Sequence, residues 1–208
     1  HAFFRRQRQM CIRDRGLYGD LMMEIDWSIG RIINALEKNK IIDNTLIIFT
    51  SDNGPWLNFG NHAGSTGGLR EGKGTSFEGG QRVPTVMMWP DVIPAGKIAN
   101  QLSSAIDILP TVSHIVDGNL PKHKIDGINI MEILKGEKVN PRKEFYYYYG
   151  NNNLEAVRKD NWKLILPHNS RSYKGVLPNN DGFPGNYNSI TTGLELYNLR
   201  RDPGEEYD

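Results

Sequence analysis

The chain has 208 residues, 25 Lys+Arg against 24 Asp+Glu, 38% hydrophobic residues and one cysteine. That is enough polypeptide for one core-forming domain or slightly more, and no apolar run nears the ~20 residues a membrane helix needs. One cysteine excludes an internal disulfide framework and a multi-cysteine zinc site, and the balanced charge argues against a nucleic-acid binder.

The balance is uneven along the chain. Residues 1–15 carry five arginines and one aspartate, a local +4, which leaves −3 for the rest. They lack both helical periodicity and the apolar segment of a signal peptide. Residues 1–16 are expected to be a disordered or non-native basic leader rather than a nucleic-acid-binding arm. From Asp20, Leu21, Ile25, Ile29, Ile32, Ile33 and Leu36 recur at three- and four-residue steps, predicting a helix capped by Asp20 and closed near Asn39. Thr45–Thr50 predicts a buried strand that breaks at Ser51-Asp-Asn-Gly-Pro55. Residues 60–80 hold eight glycines and predict a long functional loop. Val83–Trp89 predicts a second buried strand, and Asp107 is expected to cap a helix running to about Val116. This alternation is the pattern of an α/β sheet.

The texture changes after the polar stretch 136–144. Phe145–Tyr149, Ala156–Leu166 and Leu194–Leu199 predict strands of an antiparallel β subdomain, with Pro167–Gly193 as a polar loop. The expected division is residues 17–140 as the α/β part and 141–208 as the β subdomain. Tyr146 to Tyr149 are expected to alternate between strand faces rather than form an aromatic binding box.

Asp52-Asn53 follows a predicted strand, where open α/β sheets collect ligands. A carboxylate beside an amide carbonyl offers two hard oxygens, suited to Ca²⁺ or Mg²⁺; the competing reading is an Asx turn. Lys73, between Gly72 and Gly74, places an ammonium where loop N–H groups can help hold an anion. Gly67 to Lys73 fits the start of a Walker A loop, but Gly74 replaces its Ser/Thr, no strand leads straight in, and Gly79, Gly80 and Pro84 would spoil the following helix, which argues against a P-loop NTPase. His62 either contacts an anionic substrate or braces the loop. Glu78 and Arg82 are expected to pair and pin it. Cys11, in the basic leader, lacks an activating pocket and is read as inert.

Together these segments resemble a family. Tyr18-Gly-Asp20, Ile25-Asp-Trp-Ser-Ile-Gly-Arg31, Asn44 to Pro55, Gly72 to Pro84 and Asp107-Ile-Leu-Pro-Thr111 resemble the type I sulfatases of the alkaline phosphatase superfamily. Ala156-Val-Arg158, Asn161-Trp-Lys-Leu164, Glu195 to Leu199 and Asp202-Pro-Gly-Glu205 are similar to that family's closing subdomain. The resemblance implies a partial alkaline-phosphatase-like α/β sheet with flanking helices and a small C-terminal antiparallel β subdomain. It implies that Asp52 and Asn53 bind Ca²⁺, with Mg²⁺ the second option, and that Lys73 is a catalytic, sulfate-binding lysine. His62 lies in a loop similar to that of one bacterial arylsulfatase subgroup.

The implied reaction cleaves a sulfate ester, on a small molecule or a carbohydrate, to an alcohol and sulfate. The implied nucleophile is a formylglycine made from the cysteine of Cys-x-Pro/Ala-Ser-Arg. Cys11-Ile-Arg-Asp-Arg15 departs from that motif, and upstream metal ligands have no counterpart. The expectation is therefore a C-terminal sulfatase fragment, inactive alone, from a parent working in a periplasmic, secreted or lysosomal setting. The rival readings are a phosphatase or phosphodiesterase of the same superfamily and a non-catalytic binding protein that retains the fold.

Overall fold

The computed structural model describes residues 16–180 and 182–208. The leader and Cys11 therefore lie outside the described residues, except Gly16, which opens the first helix.

Helix α1 spans Gly16–Lys38. It starts one turn before the expected Asp20 cap, so Asp20 sits inside it rather than at its end. Its C-terminus closes as expected: Asn39 donates both its backbone N–H (3.1 Å) and its side-chain Nδ2 (2.7 Å) to the Ala35 carbonyl. Lys40 then reverses the chain at φ 57°. No residue of this 23-residue helix is buried, and Leu17, Leu21 and Ile32 are exposed on it.

Strands β1 (Ile47–Thr50) and β2 (Thr85–Met88) form an antiparallel pair, with Ile47 opposite Met88 and Thr50 opposite Thr85. Both are shorter than their β-branched runs suggest. Neither is buried: Ile47 to Phe49 are half-covered, and Val86 is 62% exposed. Between them, residues 57–62 form a tight helical turn, and α2 (Glu78–Gln81) supplies one further turn within the glycine-rich loop.

Helix α3 (Ile108–Ile115) contains Pro110 in its first turn, where no intrahelical N–H is needed. Asp107 caps not α3 but the turn before it, taking the Ser104 backbone N–H at 2.8 Å. Its other oxygen accepts from the Ile128 N–H at 2.9 Å and from Arg142, a nearly buried ion pair. Thr111 extends the tie, accepting from the Ile130 N–H just ahead of α4 (Met131–Leu134).

Strands β3 (Glu144–Tyr149), β4 (Asn153–Lys159) and β5 (Trp162–Ile165) follow. The run predicted as one strand, 156–166, is thus a hairpin, reversed at Asp160, whose φ is 52°. The polar loop 167–193 also holds an unpredicted pair, β6 (Asn169–Ser172) antiparallel to β7 (Asn188–Thr191). Its strands are Ser- and Asn-rich and carry no apolar alternation to reveal them. With β8 (Glu195–Asn198), the larger sheet has the order β3-β4-β5-β8, antiparallel throughout.

Alternation in β3 holds only as far as Tyr147, which is buried between half-covered or exposed neighbours. The register then shifts: Tyr147 faces Ala156 while Tyr148 faces Leu154, leaving Glu155 as the bulged residue of β4. Glu155 and Ala156 are consequently both buried, while Tyr148 and Tyr149 are exposed toward the end of β3. The core joins this sheet to the glycine-rich loop, packing Phe77 with Tyr147, Ala156, Ile165, Tyr197 and Leu199.

Candidate functional site

The acidic turn and the lysine loop are joined by close backbone packing. Gly54 donates its N–H to the Gly80 carbonyl (2.9 Å), and Lys73 donates its N–H to the Pro55 carbonyl (2.9 Å). Gly79 donates to Arg70 at 2.8 Å. The approach depends on missing side chains. A Cβ on Gly54 would fall 1.8 Å from the Gly79 oxygen, and one on Gly72 would fall 2.5 Å from the Pro55 oxygen. Chain segments some twenty residues apart are thereby fixed side by side, with Asp52-Asn53 and Lys73 on them.

Asp52 is exposed beyond the end of β1, and Asn53 is half-buried. Asn53 donates Nδ2 to the Gly54 carbonyl (2.9 Å), which commits the amide nitrogen, and its Oδ1 takes no hydrogen bond from the described residues. The Asp52 carboxylate takes only a long 3.5 Å contact from Ser51 Oγ. Two uncommitted hard oxygens suit one side of a calcium shell, which needs six to eight. Among the described residues no three His, Cys, Asp or Glu side chains gather as a metal cluster.

Lys73 is half-buried, with Nζ 5.1 Å from the centre of the Trp56 ring, a contact that restrains the ammonium without neutralising it. Its loop is fastened from the far end of the chain. Tyr173 donates its hydroxyl to the Lys73 carbonyl (2.6 Å), while Glu71 accepts from Ser172 Oγ (2.5 Å) and the Tyr173 N–H (2.7 Å). Trp56, Glu71 and Tyr173 are positioning residues that the sequence did not reveal. All three hydrogen bonds cross about a hundred positions, beyond the reach of any local pattern.

His62 ends the 57–62 turn and lies beside Gly182: a Cβ on Gly182 would lie 3.4 Å from its Nδ1. The expected Glu78–Arg82 pair does not form. Arg82 is exposed, and Glu78 meets Lys163 Nζ at 3.1 Å and Arg158 at 3.7 Å. Lys163 also meets Glu205 at 2.9 Å, and Glu205 accepts the Glu78 N–H at 2.7 Å. The sequence misses this because the buried cation is 85 positions from Glu78, whereas Arg82 is only one turn away. Burial and the Glu78 charge push the Glu205 carboxyl upward, against the pull of Lys163.

A second ionic group secures the loop at Arg70, whose guanidinium lies 3.8 Å over the Phe77 ring. It donates to Glu195 (3.1 Å) and to the Tyr197 hydroxyl (2.9 Å). Burial opposes ionisation of Glu195, yet the hydrogen bonds from Tyr197 and Arg70 outweigh it and hold the carboxyl below its usual value. Burial and the neighbouring Glu195 raise Tyr197 to about 12. A lowered carboxylate adds stability that is complete above its unfolded-state value and disappears as pH falls through its folded value. Thermal melts from neutral to acid pH should therefore show a loss below the ordinary carboxylate range. Glu195→Gln should flatten that acid limb; an unchanged limb would remove Glu195 as its source.

The sequence matches the sulfatase family over residues 2–118 and the family described as N-sulphoglucosamine sulphohydrolase, C-terminal, over residues 72–208. The chain belongs to the sulfatase family. Among curated relatives, this sulfatase chain is 40% identical to Steryl-sulfatase of Homo sapiens over 76% of its own length and 27% of that protein. It is 35% identical to N-acetylgalactosamine-6-sulfatase of Canis lupus familiaris over 93% of its own length and 39% of the relative. Its structure superposes on the PsFucS1 sulfatase from Pseudoalteromonas sp. with a TM-score of 0.75 and 30% identity, covering 91% of this chain and 37% of that one. The sulfatase chain thus spans about two fifths or less of the length of the relatives it matches.

Proposed function

We propose that this chain forms the metal- and sulfate-binding edge of a sulfuric ester hydrolase. Asp52 and Asn53 Oδ1 would ligate Ca²⁺ from one side, and Lys73 would hold a sulfate oxygen. The observation that carries this reading is the glycine clasp. It sets two open oxygen donors and a cation without a carboxylate partner among the described residues on adjacent backbone segments.

A bound divalent cation would supply positive charge that stabilises the oxygen departing with the ester bond. Lys73 would neutralise sulfate charge, and the Trp56 ring together with the Tyr173–Lys73 backbone bond would keep it from wandering. The relatives named for a steryl sulfate and for an N-acetylgalactosamine 6-sulfate support a sulfate ester of an alcohol or a sugar as the substrate class.

The formylglycine nucleophile must come from polypeptide other than residues 1–208, because Cys11-Ile-Arg-Asp-Arg15 lacks the motif that is converted. The uncovered apolar residues of α1 and β2 support a further polypeptide layer packing there.

Two measurements test this. The 208-residue chain should bind calcium weakly in a titration, and Asp52→Ala should lower the affinity at least about tenfold, a change of ~1.4 kcal/mol. Equal affinity in the variant would remove the metal assignment. Incubated with an aryl sulfate and calcium, the same chain should release no sulfate; turnover would show that the nucleophile lies within it.

A further inference from the structure

A cavity of about 210 Å³ opens beside Gly74, the residue next to Lys73, between the bulged end of β3–β4 and the β6–β7 pair. Tyr149, Arg171, Tyr187, Asn169 and Glu155 line it. It is smaller than the roughly 300–1,000 Å³ of pockets for drug-sized ligands. It suits one sugar unit or a substituent of one.

Arg171 is its chemical centre. The guanidinium lies 4.1 Å from the centre of the Tyr187 ring, a stacked arrangement that leaves the donors on its edge open. Among the described residues its guanidinium makes one hydrogen bond, a long one of 3.5 Å to the Tyr173 hydroxyl, and no salt bridge. The one carboxylate in the cavity wall is committed elsewhere. Glu155 is buried at the bulge, where its Oε2 accepts from Ser76 Oγ (2.5 Å) and lies 3.2 Å from His168 Nε2. Among the described residues the exposed charge of the cavity is therefore positive.

Two backbone features serve this arrangement. Gly74 has φ +89°, and a Cβ there would lie 2.8 Å from Arg171 Nη1, so glycine lets the guanidinium rest against the lysine loop. The bulge at Glu155 lies at the end of the β3–β4 pair where Tyr149 joins the cavity wall beside Gly74. Tyr149 and Tyr187 are each close to half exposed, apolar faces with polar tips.

We infer that the Arg171–Tyr187–Tyr149 cavity is a subsite for a second anionic group, sulfate or carboxylate, on the sugar of a sulfated carbohydrate whose scissile sulfate is held by Lys73. A planar guanidinium pairs two donors with either oxyanion. The inference rests on the proposed role of Lys73, and the test separates the two.

The 208-residue chain is titrated with calcium present against a disaccharide bearing two sulfates, its monosulfated form, a form with a carboxylate replacing the second sulfate, and inorganic sulfate. Arg171→Gln should weaken the two doubly anionic sugars about tenfold and leave the monosulfated sugar and inorganic sulfate within about twofold. Arg171→Lys should recover only part of the loss, since it lacks the planar fork. Tyr187→Leu, at an exposed position, should reproduce the effect and serves if Arg171→Gln does not fold. A loss confined to one doubly anionic sugar identifies that group as the ligand. Doubly anionic sugars that bind the variants as tightly as the parent, or do not bind the parent, overturn the subsite. If Lys73→Gln leaves inorganic sulfate binding unchanged while Arg171→Gln still acts, the role of Lys73 fails and the subsite stands.

Discussion

Lys163→Met should destabilise the chain by about 3–5 kcal/mol, the usual cost of removing one partner from a buried ion pair. Lys163 is 0% exposed, with its ammonium 3.1 Å from Glu78 and 2.9 Å from Glu205 and 4.7 Å above the Tyr147 ring. Methionine fills similar volume, so the loss would come from charge: two carboxylates would share a dry site with Arg158, 3.7 Å from Glu78, as the remaining cation among the described residues. Since a domain's whole stability is about 5–15 kcal/mol, the variant would approach the folding threshold. Urea unfolding of parent and variant measures the difference. The pH response gives a second signature. Without the pull of the lysine the already raised Glu205 carboxyl would rise further in the folded state, so the variant's deficit should shrink below the ordinary carboxylate range and grow as pH rises above it. A deficit under about 1 kcal/mol, or one insensitive to pH, would mean that the cluster hydrates instead of remaining buried.

Gly54→Ala should cost at least about 3 kcal/mol, at the upper end for overpacking, because the added methyl meets backbone on a site that cannot yield. It would fall 1.8 Å from the Gly79 oxygen and 2.8 Å from its carbon. Gly79 is held by its bond to Arg70, and Gly80 by its carbonyl's bond to the Gly54 N–H itself. Relief therefore requires the two loops to part, which would separate Asp52-Asn53 from Lys73. Calcium and sulfate binding should weaken together in this variant, unlike in Asp52→Ala. Gly30→Ala is the contrast: nothing lies within 4 Å of the new methyl, and a helical alanine should add about 0.5–1 kcal/mol. Equal melting temperatures for the two variants would show that the loops are not tightly packed.

What the sequence could reveal follows from the range of the interaction. The α1 stripe, the two β-branched runs and the Ser51–Pro55 break are local signals, and each element appears within a few residues of its expected place. Burial was misjudged at β1 and β2, because an apolar run reports what a strand can cover, not whether a neighbour covers it. The β6–β7 pair is hidden by composition: Asn-Ser-Arg-Ser and Asn-Ser-Ile-Thr carry turn-like side chains in extended backbone. At the site, residue types and spacing suggested Asp52, Asn53 and Lys73 as candidates. Trp56, Glu71 and Tyr173 stayed invisible because their function lies in geometry. Only the fold places a tyrosine hydroxyl 2.6 Å from a carbonyl a hundred positions earlier. The Glu78 partner shows the same limit, since the nearby Arg82 competes in the sequence with a lysine that the sheet brings in from 85 residues away.

The bond from Glu205 to the Glu78 backbone spans 127 positions. During synthesis, residues emerge from the ribosome in order, at about 5–20 per second. The glycine loop carrying Lys73 is therefore complete for many seconds before the strand, lysine and glutamate that fasten it exist. Helix α1 and the β1–β2 pair can form early from nearer contacts, whereas the edge carrying Lys73 sets last. A nascent chain stalled before Glu205 would carry every proposed ligand of the site without the framework that aligns them.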